Sequence, residues 1–179
     1  MTQKSCLFPA PLVSVDTAVD TIGQLYGCAP AVAITELAAQ IDAPVLAVVG
    51  DPREADQLID ELEFFTNAAM PIRLLPDSET LPYDAFSPHP DLISRRLAVL
   101  SQLPDLKRGI VVVALATLMQ RLPPPSWIQG SALSLDLKAS FDLESFRRRL
   151  DTAGYSSVQQ VSEHGEFTTR GSIIDVFPM

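Results

Sequence analysis

Two short runs with no charged or polar side chain, Pro44 to Val49 (PVLAVV) and Gly109 to Ala114 (GIVVVA), constrain this chain more than anything else in it. Each is six residues long and rich in valine. That is short for a helix, and it lacks the alternation of a strand with one wet face. Runs of this kind belong to strands buried on both faces, as in a parallel sheet covered by helices.

The sequence between them supplies the covering helices. Asp51-Pro52-Arg53-Glu54 stacks three start signals: an Asp cap, Pro at the first helical position and Glu three residues after the cap. Ala55, Leu58, Ile59, Leu62 and Phe65 then form an apolar stripe, and Asp56, Asp60, Glu61 and Glu63 read as its solvated face. Upstream, Val15, Val19, Ile22 and Tyr26 after Asp16 predict a helix ended by Gly27, and Ile34, Leu37, Ala38 and Ile41 predict a second. Ile72 to Leu75 reads as another strand. The loop DSETLPYDAFSPHP and a helix through Leu92, Ile93, Leu97 and Leu100 follow it. Strand, helix, strand, loop, helix, strand is the grammar of an open α/β sheet with right-handed crossovers. Pro123, Pro124 and Pro125 then break the chain, so a first domain is expected over residues 1–130.

Residues 131–179 read differently. Ser131 to Leu137 alternates like a half-exposed strand, and Leu143, Phe146 and Leu150 form one helical stripe, capped by Asp142 and ended by Gly154. Glu144 and Arg148 stand at a favourable i,i+4 spacing. Val158 to Glu163 and Gly171 to Phe177 are expected as two strands, joined through Gly165 and a turn at Thr168-Thr169-Arg170-Gly171. The expectation is a small α+β domain with hardly enough elements to close a core, incomplete in a truncated chain.

Charge narrows the function. With 13 Lys+Arg against 22 Asp+Glu the net charge is −9, so a broad basic stripe for a phosphate backbone would stand against the chain's own field. The balance is −7 over residues 1–131 and −2 beyond. An acidic partner is therefore expected at Arg147, Arg148, Arg149 or Arg170 rather than on the first domain. The longest apolar run, Ile110 to Met119, is about half of a membrane span, and the start of the chain has no signal-peptide core. Cys6 and Cys28 are too few for a zinc site or disulfide framework and read as reduced thiols of a cytoplasmic protein.

In an open parallel sheet a ligand sits beyond the carboxyl ends of the strands. At that place Gly50-Asp51-Pro52-Arg53 offers one glycine, an anion where phosphate would lie, and a proline without an N–H, so no nucleotide is expected to bind. Asp77, Glu79, Asp84, His89 and Asp91 gather carboxylates and an imidazole, yet their spacing is irregular. Pro76, Pro82, Pro88 and Pro90 stiffen that loop, and Leu81, Tyr83 and Phe86 are suited to pin it, so it reads as structural. Trp127 and the two cysteines read as packing residues. No catalytic, cofactor or metal site is expected.

Three ordered runs carry a family likeness: Leu81-Pro82-Tyr83-Asp84-Ala85-Phe86-Ser87-Pro88-His89, Thr117-Leu118-Met119-Gln120-Arg121, and the long stretch from Glu163 to Pro178 (EHGEFTTRGSIIDVFP). From about Val45 to Met179 the chain resembles the N-terminal end of the bacterial transcription-repair coupling factors (the Mfd family). The resemblance implies a UvrB-like module: a RecA-like domain with a degenerate ATPase motif, then a small domain that binds the damage-recognition ATPase UvrA. It also implies the absence of UvrB's DNA-gripping hairpin.

The function so implied is a non-catalytic adaptor that recruits UvrA to stalled RNA polymerase. RNA polymerase and DNA would be met, and ATP used, by downstream domains of a longer protein. Of the family's UvrA contacts, the resemblance carries over Arg170 alone, whose planar guanidinium suits a carboxylate. The competing reading pairs Arg170 with Glu163 or Glu166 in its own hairpin. The alternative function is a fragment of an NTPase or nucleic-acid-processing enzyme whose catalytic residues lie outside this chain.

Overall fold

A computed structural model describes residues 21–67, 70–80, 85, 87–131 and 142–178. In chain order these form α1 (Ala29–Gln40), β1 (Pro44–Val49), α2 (Pro52–Thr66), β2 (Ile72–Leu75) and α3 (Pro90–Gln102). A single 3-10 turn (Leu103–Asp105), β3 (Gly109–Ala114), α4 (Leu115–Leu118) and α5 (Pro125–Ser131) follow. The chain closes with α6 (Leu143–Thr152), β4 (Ser156–Ser157), β5 (Glu166–Arg170) and β6 (Ile173–Phe177). Two compact units result: Met1–Asp77 with Gln102–Arg121, and Ser78–Ser101 with Leu122–Met179.

The first unit is an α/β layer. Its sheet is wholly parallel in the order β1-β3-β2, with Pro44 opposite Gly109, Val49 opposite Ala114, and Ile72 opposite Ile110. Every residue of β3 is buried, as its unbroken apolar run requires of a central strand. Ala31 and Ala38 of α1 and Ala55, Leu58 and Leu62 of α2 close over Val45, Ala47, Ile110 and Val112. The small side chains on α1 bring that helix close to the sheet. β1 corrects the expectation of a strand buried on both faces: α1 and α2 both pack on its Val45 and Ala47 face, and Leu46 and Val48 on the other face stay about half exposed.

The start of α2 forms as its sequence demands. Asp51 Oδ1 accepts the N–H groups of Arg53 (2.8 Å) and Glu54 (3.0 Å), and Glu54 Oε2 reaches back to accept the Gly50 N–H at 2.8 Å. Gly109 shows a different necessity. Its φ is +145° and a Cβ there would lie 2.6 Å from the Pro71 carbonyl oxygen, so only glycine lets β3 begin at that point.

The second unit builds a smaller core. Asp142 caps α6 by accepting from the Glu144 and Ser145 N–H groups, and Phe146 and Leu150 pack with Phe167 against Tyr155, Ile174 and Val176. Its sheet has the order β4-β5-β6, parallel between β4 and β5 and antiparallel between β5 and β6. Gly171 has φ +62° at the first position of a two-residue loop between Arg170 and Ile173, the conformation a tight hairpin asks of its first loop residue.

Several expectations are corrected. The first hairpin strand is β5, not Val158 to Glu163, and Thr168 to Arg170 are strand rather than turn. Phe167 explains the shift: it is the apolar side chain that reaches the α6 stripe, so pairing follows burial. Residues 21–26 are not helical, Tyr26 is exposed, and Gly27 (φ +58°) leads into α1 instead of ending a helix. Pro125 opens α5, so from the last of the three prolines the chain continues as a helix where a break was expected. Trp127, on that helix, is 58% exposed and Cys28 is exposed, so neither is a packing residue. No ion pair joins Glu144 to Arg148 among the described residues. Val15, Val19, Cys6, Leu81, Tyr83, Asp84 and Phe86, and the strand expected at 131–137 beyond Ser131, lie outside the described residues. No helix of the described residues is long and apolar enough to cross a membrane.

Candidate functional site

Arg170 is the last residue of β5, opposite Ile173 and next to the Gly171 turn, and its side chain is exposed. Its Nη2 donates to the Gln159 carbonyl oxygen at 3.4 Å, a single weak tether. The competing partner, Glu166, is committed elsewhere. Its Oε2 accepts from the Ser162 N–H (2.8 Å), the Glu163 N–H (2.9 Å) and the Ser162 hydroxyl (3.2 Å). Those backbone donors, Ser162 first, hold its carboxyl below the usual carboxylate range against the opposing effect of desolvation. No ion pair joins Arg170 to Glu163 or Glu166 among the described residues.

Beside Arg170 opens a cleft of about 370 Å³, lined by Ser157, Gln159, Thr168, Thr169 and Arg147 of α6. Thr168 is buried in its floor, and its hydroxyl donates to the same Gln159 carbonyl at 3.5 Å. Phe146 and Leu150 decide which arginine of the basic run arrives there. With those two turned into the core, Arg147 lines the cleft and Arg148 and Arg149 do not.

The other sequence candidates are used structurally. At the carboxyl end of β1 the N–H groups of Gly50, Arg53 and Glu54 all donate to side-chain carboxylates. The hollow beside them, about 570 Å³, is lined by Val48, Val49, Glu54, Gln57 and Glu61, with Gln57 Nε2 donating to Glu61 Oε1 at 2.8 Å. A phosphate there would face two carboxylates and no lysine. Asp77 accepts from Gln120 Nε2 at 2.7 Å, which ties the start of the proline-rich loop to the TLMQR run. Among the described residues no group of three or more His, Cys, Asp or Glu side chains is placed to hold a metal ion.

Sequence reasoning missed His164. Its Nε2 lies 2.6 Å from Asp91 Oδ1, its Nδ1 meets the Pro178 carbonyl oxygen, and its ring packs on Phe177 with centroids 4.2 Å apart. The Pro178 carbonyl first, and Asp91 second, raise its pKa against the lowering effect of desolvation. The one available signal was its place in the EHGEF run; nothing local connects it to a residue 73 positions earlier.

The family model of the UvrB interaction domain matches residues 133–179, the part that holds the Arg170 cleft. The chain is 44% identical to a transcription-repair-coupling factor of Escherichia coli (strain K12) over 158 residues, 88% of this chain and 14% of that protein. Identity to its counterpart in Haemophilus influenzae is 40% over the same coverage. With that of Myxococcus xanthus it is 31% over 159 residues, 86% of the chain and 13% of the relative. The chain thus spans about one seventh of the length of the curated relatives it matches.

Proposed function

We propose that this chain is a module of the transcription-repair-coupling factors and a non-catalytic adaptor that binds UvrA, a reading supported by the match of residues 133–179 to the UvrB interaction domain and by relatives that align along nearly nine-tenths of the chain. In a full-length protein, RNA polymerase and DNA would be engaged, and ATP consumed, by domains other than this one, in the cytoplasm. The first unit serves as a scaffold without nucleotide affinity. The N–H groups at its β1-to-α2 junction are taken up by its own carboxylates, which supports this reading.

The observation that carries the adaptor reading is Arg170: exposed, beside a polar cleft, and paired with no carboxylate among the described residues. A guanidinium so held offers a fork of N–H donors to an incoming carboxylate. The test immobilises the chain and titrates UvrA over it. Saturable binding weakened by Arg170→Ala, together with no heat from ATP or GTP in calorimetry, is the expected result. Saturable micromolar nucleotide binding, or indifference to UvrA, would remove the adaptor reading in favour of an enzyme fragment.

A further inference from the structure

We propose that Arg147 is a second binding residue, and that the cleft between α6 and β5 is a two-arginine receptor for a pair of carboxylates on an acidic segment of the protein partner; the identity of that partner rests on the adaptor reading above. Arg147 and Arg170 are 23 positions apart and brought to one concavity by the fold alone. The Arg147 side chain has no hydrogen bond or ion pair among the described residues, and Arg170 spends one N–H on the Gln159 carbonyl. In a chain of net charge −9, two guanidinium groups sharing a cleft with no carboxylate among the described residues that line it stand out from the surrounding field. Their natural complement is negative charge supplied from outside.

The surroundings select the form of that charge. Ser157, Thr168 and Thr169 bring short hydroxyls, and the volume, about 370 Å³, suits one or two protruding acidic side chains. Two arginines are too few for a nucleic-acid backbone, which rewards a stripe of cations along several phosphates, and the acidic chain around them would repel it. An Asp or Glu pair on a protein surface meets both forks without bringing such a polyanion near.

The neighbours Arg148 and Arg149 supply the control, since they share the helix and the charge but not the cleft. UvrA is titrated over the immobilised chain and over the variants Arg147→Ala, Arg147→Glu, Arg148→Ala, Arg149→Ala and Arg147→Ala with Arg170→Ala. Each variant is first checked for an unchanged thermal melt. Arg147→Ala is expected to weaken binding about tenfold and Arg147→Glu more, while Arg148→Ala and Arg149→Ala stay within about twofold of the parent. The double variant should lose less than the two single losses multiplied together, because both arginines serve one acidic patch.

Tight binding untouched by Arg147→Ala but weakened by Arg170→Ala would overturn the second-residue proposal and leave the adaptor reading standing. Equal losses at Arg147, Arg148 and Arg149 would overturn it in favour of diffuse charge. Competition by a short DNA duplex that needs Arg147 would overturn the choice of carboxylates. No UvrA binding by the parent chain would overturn both readings.

Discussion

The Nε2 atom of His164 lies 2.6 Å from Oδ1 of Asp91, so the first turn of α3 and the last turn before β5 are held together by one imidazole. The opposite ring nitrogen faces the Pro178 carbonyl oxygen, beyond the end of β6. A carbonyl and a carboxylate can only accept, so both contacts are satisfied together only when each nitrogen carries a proton. The charged form of His164 is therefore the one this site favours, as the raised pKa expresses.

That contact gives the second unit a pH dependence of definite sign. Because the folded pKa stands above 6.5, the clasp's contribution is fully present below that value and is lost as pH rises through the raised folded value. Asp91 faces His164, and its other carboxylate oxygen lies 3.6 Å from His89 Nδ1. Urea unfolding across this range should show the loss in the parent and in His89→Gln, and none in His164→Gln. An identical profile in His164→Gln would show that another group sets it.

Glu166 has the opposite sign. Its folded pKa is below 4.5, so its bonds to the Ser162 and Glu163 N–H groups stabilise fully above that value and fail as pH falls through the lowered folded value. Glu166→Gln should flatten the acid limb of an unfolding titration and leave the neutral limb unchanged.

Removing the Asp51 cap should loosen α2 without creating a phosphate site. Asp51→Ala leaves the Arg53 and Glu54 N–H groups without their acceptor and should cost about 1 kcal/mol in chemical denaturation. Calorimetry with ATP should still give no binding, because neither a lysine nor a ring of N–H groups has been added.

Gly109→Ala should be among the most damaging single-methyl changes in the first unit. The added Cβ would meet the Pro71 carbonyl oxygen at 2.6 Å, and the same oxygen accepts the Ile110 N–H at 3.0 Å, so relief would break the start of β3. A drop in melting temperature well beyond that of Gly171→Ala, where nothing lies within 4 Å, is the expected ordering. Equal drops would show that positive φ alone, shared by both glycines, sets the cost.

Hydrogen exchange should rank the two sheets. β3 is buried along its whole length between two parallel neighbours, whereas β6 pairs with β5 alone among the described residues and leaves Ile173 and Phe177 exposed. Amides of residues 109–114 should therefore outlast those of 173–177.

Sequence alone determined the elements whose cause is local. PVLAVV and GIVVVA are strands because each is a short, valine-rich apolar run, although only GIVVVA is buried along its whole length. Asp51-Pro52-Arg53-Glu54 starts a helix because each residue satisfies a specific helix-end requirement, and Asp142 caps α6 for the same reason. The family likeness, too, was legible in the ordered run from Glu163 to Pro178. Tertiary structure decided what depends on distant atoms. Phe167 moved the hairpin strand to β5 because its burial against Phe146 and Leu150 outweighs local turn preference. Arg147 joined Arg170 because that same core fixes the rotation of α6. His164 found Asp91 across 73 residues, a distance over which no periodicity or spacing rule operates.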